Sequence, residues 1–287
     1  MGQGREKLVS IGLATHNGQS YLREALDSLL AQTYRNFELV ISDNASTDDT
    51  PWICEEYAKK DRRIRYIRQR SNIGSARNFD FLKENAKGEY FMWASDDDKW
   101  APTFVERCIA ALDADQEAIA AITKLMHFDD LGRTQKEDPK LFFPFKRDLY
   151  GRLKEFILLT VLGGKGNSTY GVWRREKVAD CKFIDKQFLE YDFLFRCLVK
   201  GYFVLVDEVL FYKRTKVFVL DPNPSVFMRI KRVLSNIKIR FVLFFSPLYF
   251  PNMIFILRLK SLKLWDRIKL IFWNLAALLR LFVWHKV

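Results

Sequence analysis

Three consecutive carboxylates, Asp96, Asp97 and Asp98, stand directly behind the apolar run Tyr90–Ala94. Side by side they repel one another, which is costly unless a cation neutralises them. Hard oxygen donors in a cluster suit Mg2+ or Mn2+, and such an ion would bridge to phosphate oxygens and ease the departure of a diphosphate. The bland alternative is a solvated acidic turn in which Asp98 caps the next helix. Trp100-Ala101-Pro102 immediately downstream stiffens the turn and favours the functional reading.

Further clusters have the same placement. Asp43 ends the apolar run Phe37–Ile41 and its Ser/Asp extension, where it could accept hydrogen bonds from a uracil ring or a ribose. Turn and cap chemistry accounts for Asp48, Asp49 and Thr50 around it. Thr15 and Asn17 follow the apolar run Leu8–Ala14 and could line the same crevice with hydroxyl and backbone groups. Arg77 opens a helical stretch after Asn72-Ile73-Gly74, a setting that suits a phosphate or carboxylate as well as plain solvation. Glu190 and Asp192 stand among aromatics with Arg196 one turn on. A carboxylate in apolar surroundings suits a general base, and an exposed charged helix face is the alternative.

The elements that must carry these residues alternate. Strands are expected at Leu8–Ala14, Phe37–Ile41, Ile64–Ile67 and Tyr90–Ala94. Helices are expected at Ser20–Gln32, with Ser20 as N-cap, at Thr50–Lys60 with Pro51 in its first turn, and at Ser75–Asn85. That rhythm predicts a mostly parallel, doubly wound α/β sheet, whose ligands bind beyond the carboxyl ends of the strands. The polar clusters all fall there. From 118 to 215 the texture is less regular: an apolar stretch at Ala118–Ile122, a charged loop at Asp129–Phe145, a Gly-rich turn at Gly163–Gly166, a helix at Phe188–Val199 and a strand at Phe203–Tyr212.

Taken in order, Thr15-His16-Asn17, Asp43 with its Ser/Thr/Asp tail, Gly74…Arg77-Asn78, Asp96-Asp97-Asp98…Trp100 and Glu190…Asp192…Arg196 resemble glycosyltransferase family 2, across roughly residues 7–213. The resemblance implies the GT-A fold and inverting transfer of a sugar from a nucleotide-sugar donor. It also implies that Thr15, Asn17, Asp43, Arg77 and Asp96 contact the nucleotide sugar, and that Asp97, with Asp98, holds the Mn or Mg ion. Ser95 stands where the family's acidic DxD motif usually begins. Glu190 takes the place of the catalytic base with Asp192 in reserve, and Arg174, in Gly171–Arg175, falls with Arg196 on the acceptor side.

The chain of 287 residues has a formal charge of +12. Thirteen of its Lys/Arg residues follow Thr215 against only Asp221 and Asp266, so residues 1–215 are close to neutral and 216–287 form a basic, aromatic tail. Its uncharged run Phe241–Leu257 is broken by Pro247 and Pro251 and is shorter than the ~20 apolar residues that a spanning helix needs. Flanks mixing Lys/Arg with Ile, Leu and Trp, including Trp265, Trp273 and Trp284, have the composition of helices lying in a membrane interface. The expected organisation is a catalytic domain, 1–215, and a membrane-docking region, 216–287. The polar Met1–Lys7 has no apolar signal core, and four scattered cysteines suggest reduced, buried thiols, which together predict the cytoplasmic face of a membrane. A docked enzyme suits a polyprenyl-(di)phosphate-linked saccharide as acceptor. Direct transfer to polyprenyl phosphate and a non-catalytic membrane scaffold are the rivals, and self-association is open. Nucleic acid is not expected, because long aliphatic runs add nothing to phosphate binding. The absence of GxGxxG after the first strand argues against a dehydrogenase.

Overall fold

Apolar runs and amphipathic stretches alternate in the computed structural model as β1 (Val9–Thr15), α1 (Leu22–Leu30), β2 (Phe37–Asp43), α2 (Thr50–Lys60), β3 (Ile64–Arg68), α3 (Ser75–Glu84) and β4 (Tyr90–Ser95). The structure describes residues 6–136, 147–160, 165–183, 189–215 and 256–283. β1 pairs in parallel with both β2 and β4, and β2 with β3. β1, β2 and β4 are covered on both faces, so their residues are buried almost without alternation, as continuous apolar runs require. The four strands run further than expected, to Thr15, Asp43, Arg68 and Ser95, which makes the first residues of the polar clusters part of the sheet edge.

One expectation about α1 fails. The helix starts at Leu22 without a side-chain cap, and the N–H groups of Tyr21 and Leu22 bond to the Gly18 carbonyl at 3.1 and 3.0 Å. Ser20 is thus not the cap, and Glu24 is drawn instead to Lys99 and Arg214.

The second half is mixed. It comprises β5 (Lys99–Trp100), α4 (Phe104–Ala114), β6 (Ala120–Phe128), β7 (Thr134–Lys136), α5 (Leu149–Thr160), a 3-10 turn at Lys165–Tyr170, β8 (Val172–Arg174), α6 (Leu189–Lys200) and β9 (Phe203–Arg214). Among the described residues nine strands form one sheet, ordered β3-β2-β1-β4-β8-β6-β9-β5 with β7 beside β6. β8 is antiparallel to both β4 and β6, and β6 is parallel to β9. β9 therefore runs in the same direction as β4, and its last residues reach the edge where the acidic triplet lies. Asp98 caps no helix, since α4 follows Thr103 with no side-chain cap.

An aromatic core fixes α6 against the sheet. The ring of Phe193 lies 5.1 Å from Trp93, 5.5 Å from Trp173 and 4.2 Å from Phe183, all four buried. Truncating such a ring to alanine costs about 3–5 kcal/mol, so the helix that carries Glu190 is firmly seated. All four cysteines are free and buried, as expected.

Of the basic tail, residues 216–255 and 284–287 lie outside the described residues, as do 137–146 and 161–164 within the expected charged loop and glycine turn. Its helix α7 (Leu264–Val283) packs on α5, burying Leu270 and setting Lys154 Nζ 4.4 Å above the Trp273 ring. Leu264, Trp265, Ile268 and Phe272 remain exposed on it. Among the described residues no helix is long and apolar enough to cross a membrane.

Candidate active site

The carboxyl ends of β1, β2 and β4 carry one polar cluster. Thr15 Oγ1 donates to Asp96 Oδ2 at 2.6 Å, tying β1 to the acidic loop. Burial raises the Asp96 pKa, a shift that the Thr15 hydrogen bond partly offsets. A Cβ on Gly18 would fall 2.7 Å from Thr15 Oγ1 and closer still to the Asp96 carboxylate, so this approach needs glycine.

Asp43 is fully buried. It accepts the Ser46 N–H at 2.8 Å and the Tyr66 hydroxyl at 2.9 Å, with Arg68 Nε 3.7 Å away. None of its carboxylate is left at the surface, so its present work is to hold the loop. Asn17, at φ +56°, accepts the Thr47 N–H at 2.8 Å while its own N–H donates to Ser46. Asn44 accepts the Ile73 N–H at 2.8 Å and bonds Asn72, which pins the start of α3 and places exposed Arg77 beside this edge. The structure thus gathers Thr15, Asn17, Asp43 and Asp96 along one rim, with Arg77 exposed in the first turn of α3.

Within the triplet the three carboxylates differ. Asp97 is half-exposed and accepts the Ser95 hydroxyl. Asp98, expected as a second metal ligand, is only 1% exposed; one oxygen accepts the Arg214 N–H at 2.8 Å. Its other oxygen has no hydrogen-bond partner among the described residues and lies 3.7 Å from Lys213 Nζ. Burial pushes the Asp98 carboxyl up to about 6, with Lys213 opposing and Asp97 adding to the rise. Asp98 therefore anchors β9, which leaves Asp97 as the carboxylate able to reach an ion.

No group of three or more His, Cys, Asp or Glu side chains converges on a metal position among the described residues. A dedicated cage is not what Mg2+ or Mn2+ requires: such ions are commonly held by one or two carboxylates plus substrate phosphates and water. The hard, half-exposed oxygens of Asp97 fit that arrangement.

Sequence reasoning missed the partners supplied by the second half. Arg214 is packed between the rings of Tyr21 and Phe128, at 4.1 and 4.4 Å. It donates to the Asp97 carbonyl at 3.0 Å and pairs with Asp130 at 2.5 Å and with Glu24. Lys213 lies 4.9 Å from the Tyr170 ring centroid. Burial opposes its charge, but Tyr170, Asp98, Asp97 and Glu190 outweigh that and raise its pKa. A Lys-Arg pair ending a strand beside an acidic loop was the available signal.

Glu190, half-buried in the first turn of α6, acts electrostatically on Lys213 and Tyr170, as Asp97 and Asp98 do. Asp192 is buried and accepts Arg196 Nε at 2.7 Å within the helix, so both are committed to each other. Arg174 is a correction. It pairs with Tyr90 at the starting end of β4, with its guanidinium on the Ala118 and Leu112 carbonyls at 3.0 and 2.7 Å. Five residues of strand, about 16 Å at ~3.3 Å each, separate that end from the triplet. Arg174 holds the sheet and faces no acceptor.

Comparison with known proteins follows this geometry. The sequence model described as Glycosyl transferase family 2 matches residues 10–167. An uncharacterized glycosyltransferase of Rickettsia typhi is 41% identical over 105 residues, covering 37% of this chain and 32% of the relative. The putative glycosyltransferase EpsH of Bacillus subtilis is 34% identical over 131 residues, 45% of this chain and 37% of the relative. The chain thus spans only about a third of the length of these curated relatives. In fold it is similar to S. aureus TarS 1-349, with TM-score 0.64 at 18% identity over 94% of this chain and 71% of that one. Mannosyltransferase PcManGT from Pyrobaculum calidifontis gives 0.54 at 15% identity, over 97% and 88%. The mixed sheet is that of GT-A glycosyltransferases. With the family's sequence model covering more than half of its residues, the protein belongs to glycosyltransferase family 2.

Proposed function

We propose that the protein transfers a sugar, with inversion, from a nucleoside-diphosphate donor of the UDP-sugar class to a hydroxyl of a polyprenyl-(di)phosphate-linked saccharide at the cytoplasmic face of a membrane. The observation that carries this reading is the placing of Lys213 Nζ 3.7 Å from Asp98 of the acidic triplet and 4.9 Å from the Tyr170 ring centroid, where Asp97 and Glu190 both act on its charge. This supports a donor rim and a base candidate that share one site. Glu190 accepts the proton of the acceptor hydroxyl as its oxygen attacks the anomeric carbon, and the bond to the diphosphate breaks. Thr15 and Asp96 keep the rim closed, and Asp97 would hold a divalent cation that, when bound, offsets charge on the departing diphosphate. Complexes of TarS with UDP and UDP-GlcNAc, and of PcManGT with GDP-Man and Mn2+, support the donor class and the ion.

Support for membrane docking comes from α7. Leu264, Ile268 and Phe272 recur one turn apart on its exposed side with Trp265, among Lys263, Arg267 and Lys269. An apolar stripe rimmed by cations suits an anionic interface.

A panel of nucleotide sugars tests the whole reading, using the full chain with Mn2+ and liposomes bearing a polyprenyl-linked saccharide. One donor should stabilise the protein thermally and be consumed, and a short soluble acceptor should be used far less well. No binding or turnover with any nucleoside-diphosphate sugar would overturn it.

A further inference from the structure

Lys213 is ion-paired to Asp98 at 3.7 Å, yet its ammonium donors are not filled by that pair. Arg214 beside it is consumed by Glu24, Asp130 and the Asp97 carbonyl. Lys213, by contrast, donates no hydrogen bond among the described residues, although its side chain is 28% exposed. An ammonium carries three donors, and leaving them unfilled in a half-buried place is costly unless a ligand or water takes them. Its position is nevertheless fixed: Tyr170 lies beneath it, the Asp98 oxygen stands at 3.7 Å, and β9 carries it to the rim.

The charges around it say which ligand it suits. Asp96, Asp97 and Glu190 are part-buried with Asp98 beneath them, and a dianionic diphosphate entering among carboxylates meets repulsion that one divalent ion only partly removes. A fixed cation 3.7 Å from Asp98, beside the triplet, suits the negative charge of a departing diphosphate. Asp98, buried and without a hydrogen bond on its second oxygen, gains from Lys213 as a counter-charge but does not occupy its donors.

We propose that Lys213 is a donor-binding residue that contacts the diphosphate of the nucleotide sugar, acting alongside any divalent ion and persisting in its absence. The inference rests on the proposed donor class. It predicts discrimination by phosphate count: Lys213 should matter for a nucleoside diphosphate and little for the base and ribose, which bind at the rim of β1 and β2.

Affinities of the full chain for UDP, UMP and uridine, measured by calorimetry with Mn2+ and again in EDTA, test it in the wild type, Lys213→Met and Lys213→Arg. GDP, GMP and guanosine replace them if the wild type prefers guanine. Lys213→Met should weaken diphosphate binding at least tenfold in EDTA and leave nucleoside binding within twofold, and Lys213→Arg should recover most of the loss. Diphosphate affinity within twofold of wild type, or an equal loss for diphosphate and nucleoside, would overturn the inference. Should Lys213→Met not fold, Lys213→Gln carries the same comparison. A wild type that binds neither diphosphate refutes the donor class itself, a result distinct from failure at Lys213 alone.

Discussion

The two halves of the sheet do different electrostatic work. The parallel half, β3-β2-β1-β4, delivers carboxylates and amides to its carboxyl edge, with Asp43 and Asp96 each given a hydroxyl partner from within that half. The mixed half, β8-β6-β9-β5, returns cations to the same edge, Lys213 and Arg214 at the end of β9. Neither half is balanced alone. Asp98 shows why: its strand supplies no counter-charge, and burial leaves it raised to about 6 even with Lys213 nearby. A site built across such a seam positions opposite charges rigidly, which suits stabilising charge that appears only as the diphosphate leaves.

The largest expected effect follows from removing the acidic side at its exposed member. Asp97→Asn keeps volume and should lower turnover by roughly a thousandfold or more, several kcal/mol of transition-state stabilisation, with an unchanged fold by circular dichroism. Near-normal turnover of the wild type in EDTA would break the assignment of an ion to Asp97.

Next is the base. Glu190→Gln should reduce kcat by at least ~10²-fold with donor affinity little changed. Asp192→Asn should keep most activity, since that carboxylate is occupied by Arg196. The reverse outcome would make Asp192 the base, and two active variants would favour direct transfer to a lipid phosphate.

Stability against pH sharpens the contrast at the seam. The folded pKa of Asp98 is raised from 3.8 to about 6, so the stability it contributes is complete below the unfolded value and lost as pH climbs through about 6. Up to about 3 kcal/mol should disappear across that window without metal, and Asp98→Asn should abolish this part of the curve. Chemical denaturation from pH 4 to 7 checks it; parallel curves for the two proteins would contradict it.

The smallest effect on chemistry belongs to Arg174. Arg174→Ala removes buried bonds to two carbonyls at the far edge and should cost about 1–3 kcal/mol of stability, with kcat/KM retained. A selective loss of acceptor KM would restore it to the acceptor side.

Legibility in the sequence follows the same division. In the parallel half β1, β2 and β4 are short apolar runs ending in polar clusters, and α2 lies at Thr50–Lys60, the span expected. Local pattern and tertiary position agree there, because parallel strands are buried on both faces and their ligands sit at their ends. The mixed half hid more. β8 is three residues, Val172–Arg174, whose pairing with β4 and β6 no local pattern announces, and that pairing is what sends Arg174 to the wrong edge for an acceptor. Lys213 acquires meaning only because β9 runs alongside β6 through two register shifts, a long-range fact. The individual carboxylates of the triplet were legible as a group, but their division into an exposed Asp97 and a buried Asp98 depended on Arg214.

Convergence of both halves on one ligand can be measured directly by hydrogen exchange, followed by mass spectrometry, with and without saturating nucleoside diphosphate chosen from the donor panel. Slowed exchange is predicted together in 15–18, 42–48 and 95–98 of the parallel half and in 211–215 of the mixed half. Protection confined to the first three segments, or found away from all four, would contradict a donor site shared across the seam.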